Sequence, residues 1–445
     1  MLNDSDVHAP PGSGDQAYNA TPNIGKVIAQ GETYLDAQFG GTDATGSTIM
    51  RLKDIGAGAN GNENYAYHAI NADGTLCFYG NLDGTLDILS TVDGSIVYTD
   101  QPIANVGVGV AEVRWDMADT DKYYYWSTAS IVQRNLAAQT NTTIKTFASN
   151  LGYQGGSQNY FDRNGRYWVV TVGTNVRVWD SQTDTLYTGN IPVPIENGWV
   201  TISPDGNYVA GVYAAGDMSV KLRSFLINHG AQTVDTTGVM FWDIGGDHTV
   251  IISASDGENY ALCPDAQSFS VTLSLVDITV NREAMDADTQ IASAITQAVT
   301  MDSLLDNDYH MSPVSKGSFA DWAFINSETP GDTAGSPIGT WRRYKQEIMA
   351  FNVITFEKRR FCHHRSRTVG TYSNQPRVSC SPDGTALVFN SNMNDNTPDG
   401  NADLFYIANP LGVAAGGSDI ALDGTAWAGG SICTFNGSTV RLVRT

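Results

Sequence analysis

The densest set of groups able to do chemistry lies between His363 and Arg377. That segment holds two adjacent histidines (His363, His364), three arginines (Arg365, Arg367, Arg377), Tyr372 and Gln375. Such a mixture suits removal of a proton beside a carboxylate. A guanidinium or a metal neutralises the carboxylate, and a histidine or tyrosine takes the neighbouring acidified proton. A lyase acting on uronic-acid polymers needs this chemistry. His310 and His68, each near the first strand of its own unit, are placed to join the cluster. The same residue types also serve to satisfy buried backbone groups, so a purely structural use stands beside the catalytic one.

Other constellations are sparser. Asp395, Asp399 and Asp403 surround Gly400, and oxygen-bearing side chains at short intervals about a glycine suit calcium. The spacing differs from an EF-hand loop, and Asn/Asp turns are ordinary between strands. A metal shared by His310, His363 and His364 is disfavoured, because adjacent residues of a strand point to opposite faces. Trp341, beside Arg342 and Arg343 in a Gly/Pro/Ser/Thr-rich stretch, is a candidate binding aromatic. Tyr123, Tyr124, Tyr125, Trp126, Trp199 and Trp322 fall in alternating strand patterns and are expected in the core. No Walker loop, GxSxG or HExxH motif occurs, which removes support for nucleotide, serine-hydrolase and zincin chemistry.

The elements that must position these groups are strands. Gly 45, Tyr 20, Trp 9 and 16% charged residues describe a turn-rich, aromatic-rich β protein. The odd five cysteines lack a CxxC pair, so neither a zinc ribbon nor a disulfide framework is expected, and Cys77, Cys380 and Cys433 read as buried strand residues. A formal charge of −22 repels phosphate backbones and anionic membranes, and suits divalent cations or basic partners. The start, Met1-Leu2-Asn3-Asp4-Ser5-Asp6, shows neither a basic nor an apolar leader region, so no secretory signal is expected. No run is long enough to span a bilayer.

Strand-like runs recur from about residue 47, bounded by Asp-Gly or Asn-Gly turns. The first unit reads Tyr65–Asn71, Leu76–Gly80, Leu86–Ser90 and Ser95–Thr99. The turn after each unit's first strand appears at Asp73-Gly74, near Asp119, and at Asn164-Gly165, Asp205-Gly206, Asp256-Gly257, Lys316-Gly317 and Asp383-Gly384. The first intervals match a blade of about 40–50 residues, and seven markers imply seven blades. Two later intervals are lengthened by inserts. Over 283–305, Ile291, Ile295 and Val299 recur at helical spacing and predict an inserted amphipathic helix. Residues 327–343 read as a protruding loop. The expected fold is therefore all-β, a seven-bladed β-propeller over 47–445, preceded by an extended arm over 1–46. Either Ser47–Lys53 or Ser431–Val443 is placed to complete the last blade and close the ring. A pair of β-sandwiches is the rival arrangement.

Ser203-Pro204-Asp205-Gly206 followed by Tyr208-Val209-Ala210, and Ser381-Pro382-Asp383-Gly384 followed by Ala386-Leu387-Val388-Phe389, resemble TolB-type, WD40-like propeller repeats. Further motifs are similar to an uncharacterised group of bacterial propeller proteins: Phe39-Gly40-Gly41, Val113-Arg114-Trp115, His310-Met311-Ser312 and His363-His364-Arg365-Ser366. That group resembles the propeller polysaccharide lyases of the oligogalacturonate and ulvan types. The resemblance implies histidine, tyrosine and arginine around a central channel, with a divalent metal in some members. The lyase motifs do not align cleanly, so it assigns no residue a catalytic role.

Two functions follow as expectations. The favoured one is a non-catalytic binding or structural propeller on an extracellular particle or surface, of which a phage virion is one. It contacts other protein subunits through its arm and inserts, and glycan through Trp341, without nucleic-acid or membrane partners. The alternative is a polysaccharide lyase using His310, His363, His364, Arg365, Tyr372 and Arg377.

Overall fold

The computed structural model describes residues 29–35, 47–54, 68–80, 85–103, 113–152, 159–194, 199–214, 220–241, 249–264, 272–279, 295–300, 309–327, 347–364, 366, 376–392, 402–412, 432–435 and 438–441. Two units are distinguished, Met1–Gly412 and Val413–Thr445. The first is a seven-bladed propeller of antiparallel sheets, numbered here in chain order.

Blade 1 contains Leu76–Gly80, Leu86–Ser90 and Ile96–Gln101, with an inner bridge from Ile70 to Cys77. Blade 2 runs from Arg114–Trp115 through Lys122–Ser127 and Ser130–Asn135 to Thr140–Thr146. Blades 3, 4 and 5 are built on Tyr167–Val172, Tyr208–Ala214 and Asn259–Pro264. Blade 6 comprises Tyr309–Pro313, Trp322–Ser327, Glu347–Asn352 and Lys358–His363. Blade 7 starts with Ser379–Cys380, Ala386–Ser391 and Asp403–Ala408.

Of the two segments able to close the ring, Thr48–Lys53 does so. It pairs antiparallel with Asp403–Ala408, Met50 opposite Tyr406. Within the expected arm, Thr33–Leu35 pairs in turn with Thr48–Met50 as a fifth strand. The closing strand buries Ile49, Met50 and Leu52. Its Arg51 forms a 2.7 Å ion pair with Asp403.

The first-strand turns are where the sequence places them. Gly74, Gly165, Gly206, Gly257, Gly317 and Gly384 all have positive φ, from 69° to 94°, which a side chain would oppose. The residue three before the glycine completes the turn with its side chain. Asn71 Oδ1 accepts from the amides of Thr75 and Leu76, Asp162 Oδ1 from Arg166 and Tyr167, and Ser203 Oγ from Asn207 and Tyr208. Short polar side chains suit these positions because they bond the backbone locally.

The core lies in the seams between blades rather than in one centre. Phe78 of blade 1 stacks on Trp115 of blade 2, centroids 4.1 Å apart and ring planes nearly parallel. Trp126 stacks on Tyr160 of blade 3 at 5.0 Å. Tyr123, Tyr124, Tyr125, Trp126, Trp199 and Trp322 are all buried, as their strand pattern predicts. Cys77, Cys263, Cys362 and Cys380 are buried and unbridged.

The predicted insert helix is corrected in its later part. Ile295–Thr300 is a strand, pairing with Thr272–Asp277 of blade 5. Ile295 and Val299 are four apart, a spacing shared by one helix face and one strand face, and β-branched Ile295, Thr296, Val299 and Thr300 favour the strand. Residues 283–294 and 301–305 lie outside the described residues. So does the predicted loop, apart from Ser327, which ends a strand. Among the described residues the one helical element is the 3-10 turn Gly317–Phe319.

The turns between third and fourth strands share another feature. Gly94, Gln139, Asp184, Gln232 and Phe356 each lie just before the fourth strand of their blade and all have positive φ. Only the first is glycine. Gln232 is exposed at φ 55°, so Gln232→Gly is expected to stabilise the protein by about 1 kcal/mol, raising the thermal midpoint. A lowered midpoint would contradict the strain argument.

The second unit contains one hairpin, Ile432–Phe435 paired with Ser438–Arg441, flanking Asn436-Gly437. An Asn-Gly pair suits a two-residue hairpin turn.

Candidate functional site

Alternation of strand direction gives each blade two ends. First-to-second and third-to-fourth turns share one, the turn end. At the other, the connection end, the second strand leads to the third and the fourth to the next blade. The described candidates gather at the connection end of blades 6 and 7. His310 pairs with Asn326 and Asn326 with Ile348, while Glu347, the residue before Ile348, pairs with His363, so two adjacent rows cross blade 6 at this end. Asn326 Oδ1 accepts the Val378 amide at 2.9 Å, tying the Arg377-Val378 segment that leads into blade 7 to this end of blade 6.

These polar groups are sealed. His310 is 4% exposed, Arg377 2%, and His363 and His364 0%. Glu347, 1% exposed, receives Arg360 Nε and Nη2, both at 2.5 Å. A guanidinium fork on a carboxylate satisfies both oxygens and neutralises the charge that burial opposes. His363 Nε2 stands 4.0 Å from Glu347 Oε1, beyond hydrogen-bond length. His364 Nδ1 accepts the Ser366 amide at 3.1 Å, which places any neutral-ring proton on Nε2.

Arg365 and Tyr372 lie outside the described residues, as do Trp341, Arg342, Arg343, Asp395 and Asp399. Asp403, the third residue of the expected calcium set, is paired with Arg51. Among the described residues no three His, Cys, Asp or Glu side chains converge as a metal site.

His68 does not join this cluster; it sits among the inner strands and turns of blades 6 and 7. Its Nδ1 is 2.9 Å from the Cys380 carbonyl and its Nε2 is 2.7 Å from Ser315 Oγ. A carbonyl only accepts, so Nδ1 carries the proton and Nε2 accepts from the serine hydroxyl. Burial pushes the His68 pKa down to about 3, a fall aided by the charges of Lys316 and Arg114 and opposed by the Cys380 hydrogen bond and Asp383. Such a ring is a poor general base. Burial likewise pushes the Cys380 thiol up to about 12.

Blade 6 alone lacks Asp or Asn at its first turn, and the lysine there has a role. Lys316 Nζ donates to the carbonyl of Met117 in blade 2. Blades 6 and 2 stand on opposite sides of a seven-membered ring, so this side chain crosses the axis. Nearby, the buried Arg114 guanidinium lies 4.0 Å from the centre of the Tyr160 ring.

Two groups of blade 6, Glu347 and Arg360, escaped the sequence reading. Their signal was a lone carboxylate opening an apolar strand, Glu347-Ile348-Met349-Ala350-Phe351, with arginines in the next.

Compared by sequence, the chain matches no family model and no curated protein. Compared by structure, it is similar to an oligogalacturonate lyase from Vibrio parahaemolyticus, with TM-score 0.51 and 11% identity over 84% of this chain and 96% of that one. It is also similar to the WD40 repeats of RRP9, with TM-score 0.46 and 9% identity over 85% of this chain and 100% of that one. At such identities the first likeness speaks for architecture alone: the chain is a seven-bladed β-propeller with structural similarity to a polysaccharide lyase.

Proposed function

We propose that this chain is a non-catalytic β-propeller, a binding and structural module on an extracellular particle or surface such as a phage virion, whose partners are other protein subunits. One observation carries the non-catalytic part. The candidate catalytic groups that are described, His310, His363, His364 and Arg377, are at most 4% exposed, and the carboxylate among them is neutralised by Arg360. A base that must meet a polysaccharide needs an open approach.

The second reading is a lyase on uronic-acid polymers. It is supported by the gathering of those same residues at one end of blades 6 and 7, and the likeness to the Vibrio enzyme is compatible with it. One assay separates the two. Purified protein is incubated with polygalacturonate, alginate or ulvan, with and without calcium, and absorbance near 235 nm is followed for unsaturated product. The module reading expects no rise, and recovery of the protein in an assembly larger than one chain. A steady rise that Arg377→Ala abolishes would establish the lyase instead.

A further inference from the structure

The ring is fastened twice where its first blade meets its last. The outer fastening is the closing strand Thr48–Lys53 in blade 7, with the Arg51–Asp403 ion pair. The inner one is a run of polar contacts through blades 1, 7 and 6. The Ala69 amide donates to Ser379 Oγ at 2.8 Å, the Cys380 amide donates to Ser312 Oγ at 3.1 Å, and His68 bridges the Cys380 carbonyl and Ser315.

We propose that this inner fastening is an acid-sensitive clasp, in which proton uptake by His68 releases blade 1 from blades 6 and 7 and opens the ring at that seam.

The groups facing the imidazole make the case. From blade 6 come Ser315 Oγ and the Lys316 ammonium, and from blade 2 the Arg114 guanidinium. Blade 7 supplies the Cys380 carbonyl, the Cys380 thiol at 3.9 Å and the Asp383 carboxylate. Asp383 is already engaged by Ser381 Oγ at 2.7 Å and by the amide and hydroxyl of Thr385. A protonated ring would therefore be a buried cation beside two others, and its Nε2 would stop accepting the Ser315 hydroxyl.

The direction follows from linkage. The closed form holds His68 neutral down to about pH 3, whereas a released histidine protonates below about 6.5. The open form thus binds more protons as pH falls, and the seam's contribution, fully present above 6.5, is lost progressively towards 3.

Segment-resolved hydrogen exchange on the full chain tests this at pH 7.5, 6.5 and 5.5, corrected for intrinsic rates. That window lies above ordinary carboxylate titration. Amides of Thr48–Lys53 and of residues 69–71 are expected to open about tenfold more per pH unit below 6.5. His68→Gln keeps a polar side chain but cannot titrate, and should flatten the response to under about twofold. Should that variant fail to fold, the imidazole titration of wild-type His68 decides: the ring must stay neutral through pH 5.5 in the closed form, and protonation there near 6.5 would remove the coupling. A full tenfold slope persisting in the variant, or first opening at another seam, such as that of blades 3 and 4 where Tyr187 Oη lies 3.2 Å from His229 Nδ1, would overturn the proposal.

Discussion

Glu347→Gln is expected to destabilise the propeller by about 3–5 kcal/mol, the cost of stranding a buried charge. The partner left behind, Arg360, has a side chain only 2% exposed, and both bonds it makes to Glu347 are 2.5 Å. The pair spans the two outer strands of blade 6, Glu347–Asn352 and Lys358–His363, so its loss frees the outer half of that blade. Arg360→Met should cost a similar amount, because the carboxylate is then the stranded group. Glu347→Leu combined with Arg360→Met removes both charges and should recover most of the loss. Denaturation midpoints of the three variants decide the matter, and additive losses in the double variant would show that the two side chains do not act as a pair.

Gly94→Ala carries the second large effect. Gly94 sits in the last turn of blade 1 at φ 72°, and its amide donates to the Ser90 carbonyl. A Cβ built there would stand 1.6 Å from the carbonyl oxygen of Leu52 and 2.7 Å from its carbonyl carbon. Both atoms belong to the backbone of the closing strand, so no rotamer relieves the overlap and the strand must move. A loss of roughly 3 kcal/mol or more is expected, with fast exchange confined at first to Thr48–Lys53. Gly74→Ala is the control. Gly74 has a similar φ of 80°, but its Cβ would meet nothing nearer than Ala386 Cβ at 3.7 Å. It should show only the conformational cost of about 1–2 kcal/mol. Equal losses in the two variants would mean that Leu52 does not lie against the turn.

The sequence announces the architecture because glycine corners and their Asn, Asp or Ser partners act locally. At the first-to-second turns six of the seven blades carry glycine at positive φ, so the blade count could be read without any knowledge of packing. Ring closure was half legible. Thr48–Lys53 carries the right apolar residues, but nothing local says which of the two chain ends pairs with Asp403–Ala408. The helix expected over 283–305 failed in its described part, Ile295–Thr300, because a four-residue interval does not distinguish a helix face from a strand face, as Ile295 and Val299 show. The candidate site was legible only as composition. His310, His363 and Arg377 do come to one end of two blades, yet their enclosure by neighbouring strands has no signature in residue spacing. Nor does the Glu347–Arg360 fork, which depends on the register between two outer strands. Lys316 was visible as the one lysine in a row of Asp and Asn turns, and its partner Met117, roughly 200 residues earlier, was not.

Closure by Thr48–Lys53 also sets an order of events during synthesis. That strand is made before blade 1, and its partner Asp403–Ala408 only after blades 1 to 6. At ordinary elongation rates the roughly 350 residues between them take about 20–70 s to appear. Throughout that interval Ile49, Met50 and Leu52 have no sheet to join, although all three are buried in the finished ring. A nascent chain therefore carries an apolar strand without its blade 7 partner while the rest of the propeller is added, and chaperone binding or mispairing between ribosome-bound chains should concentrate there.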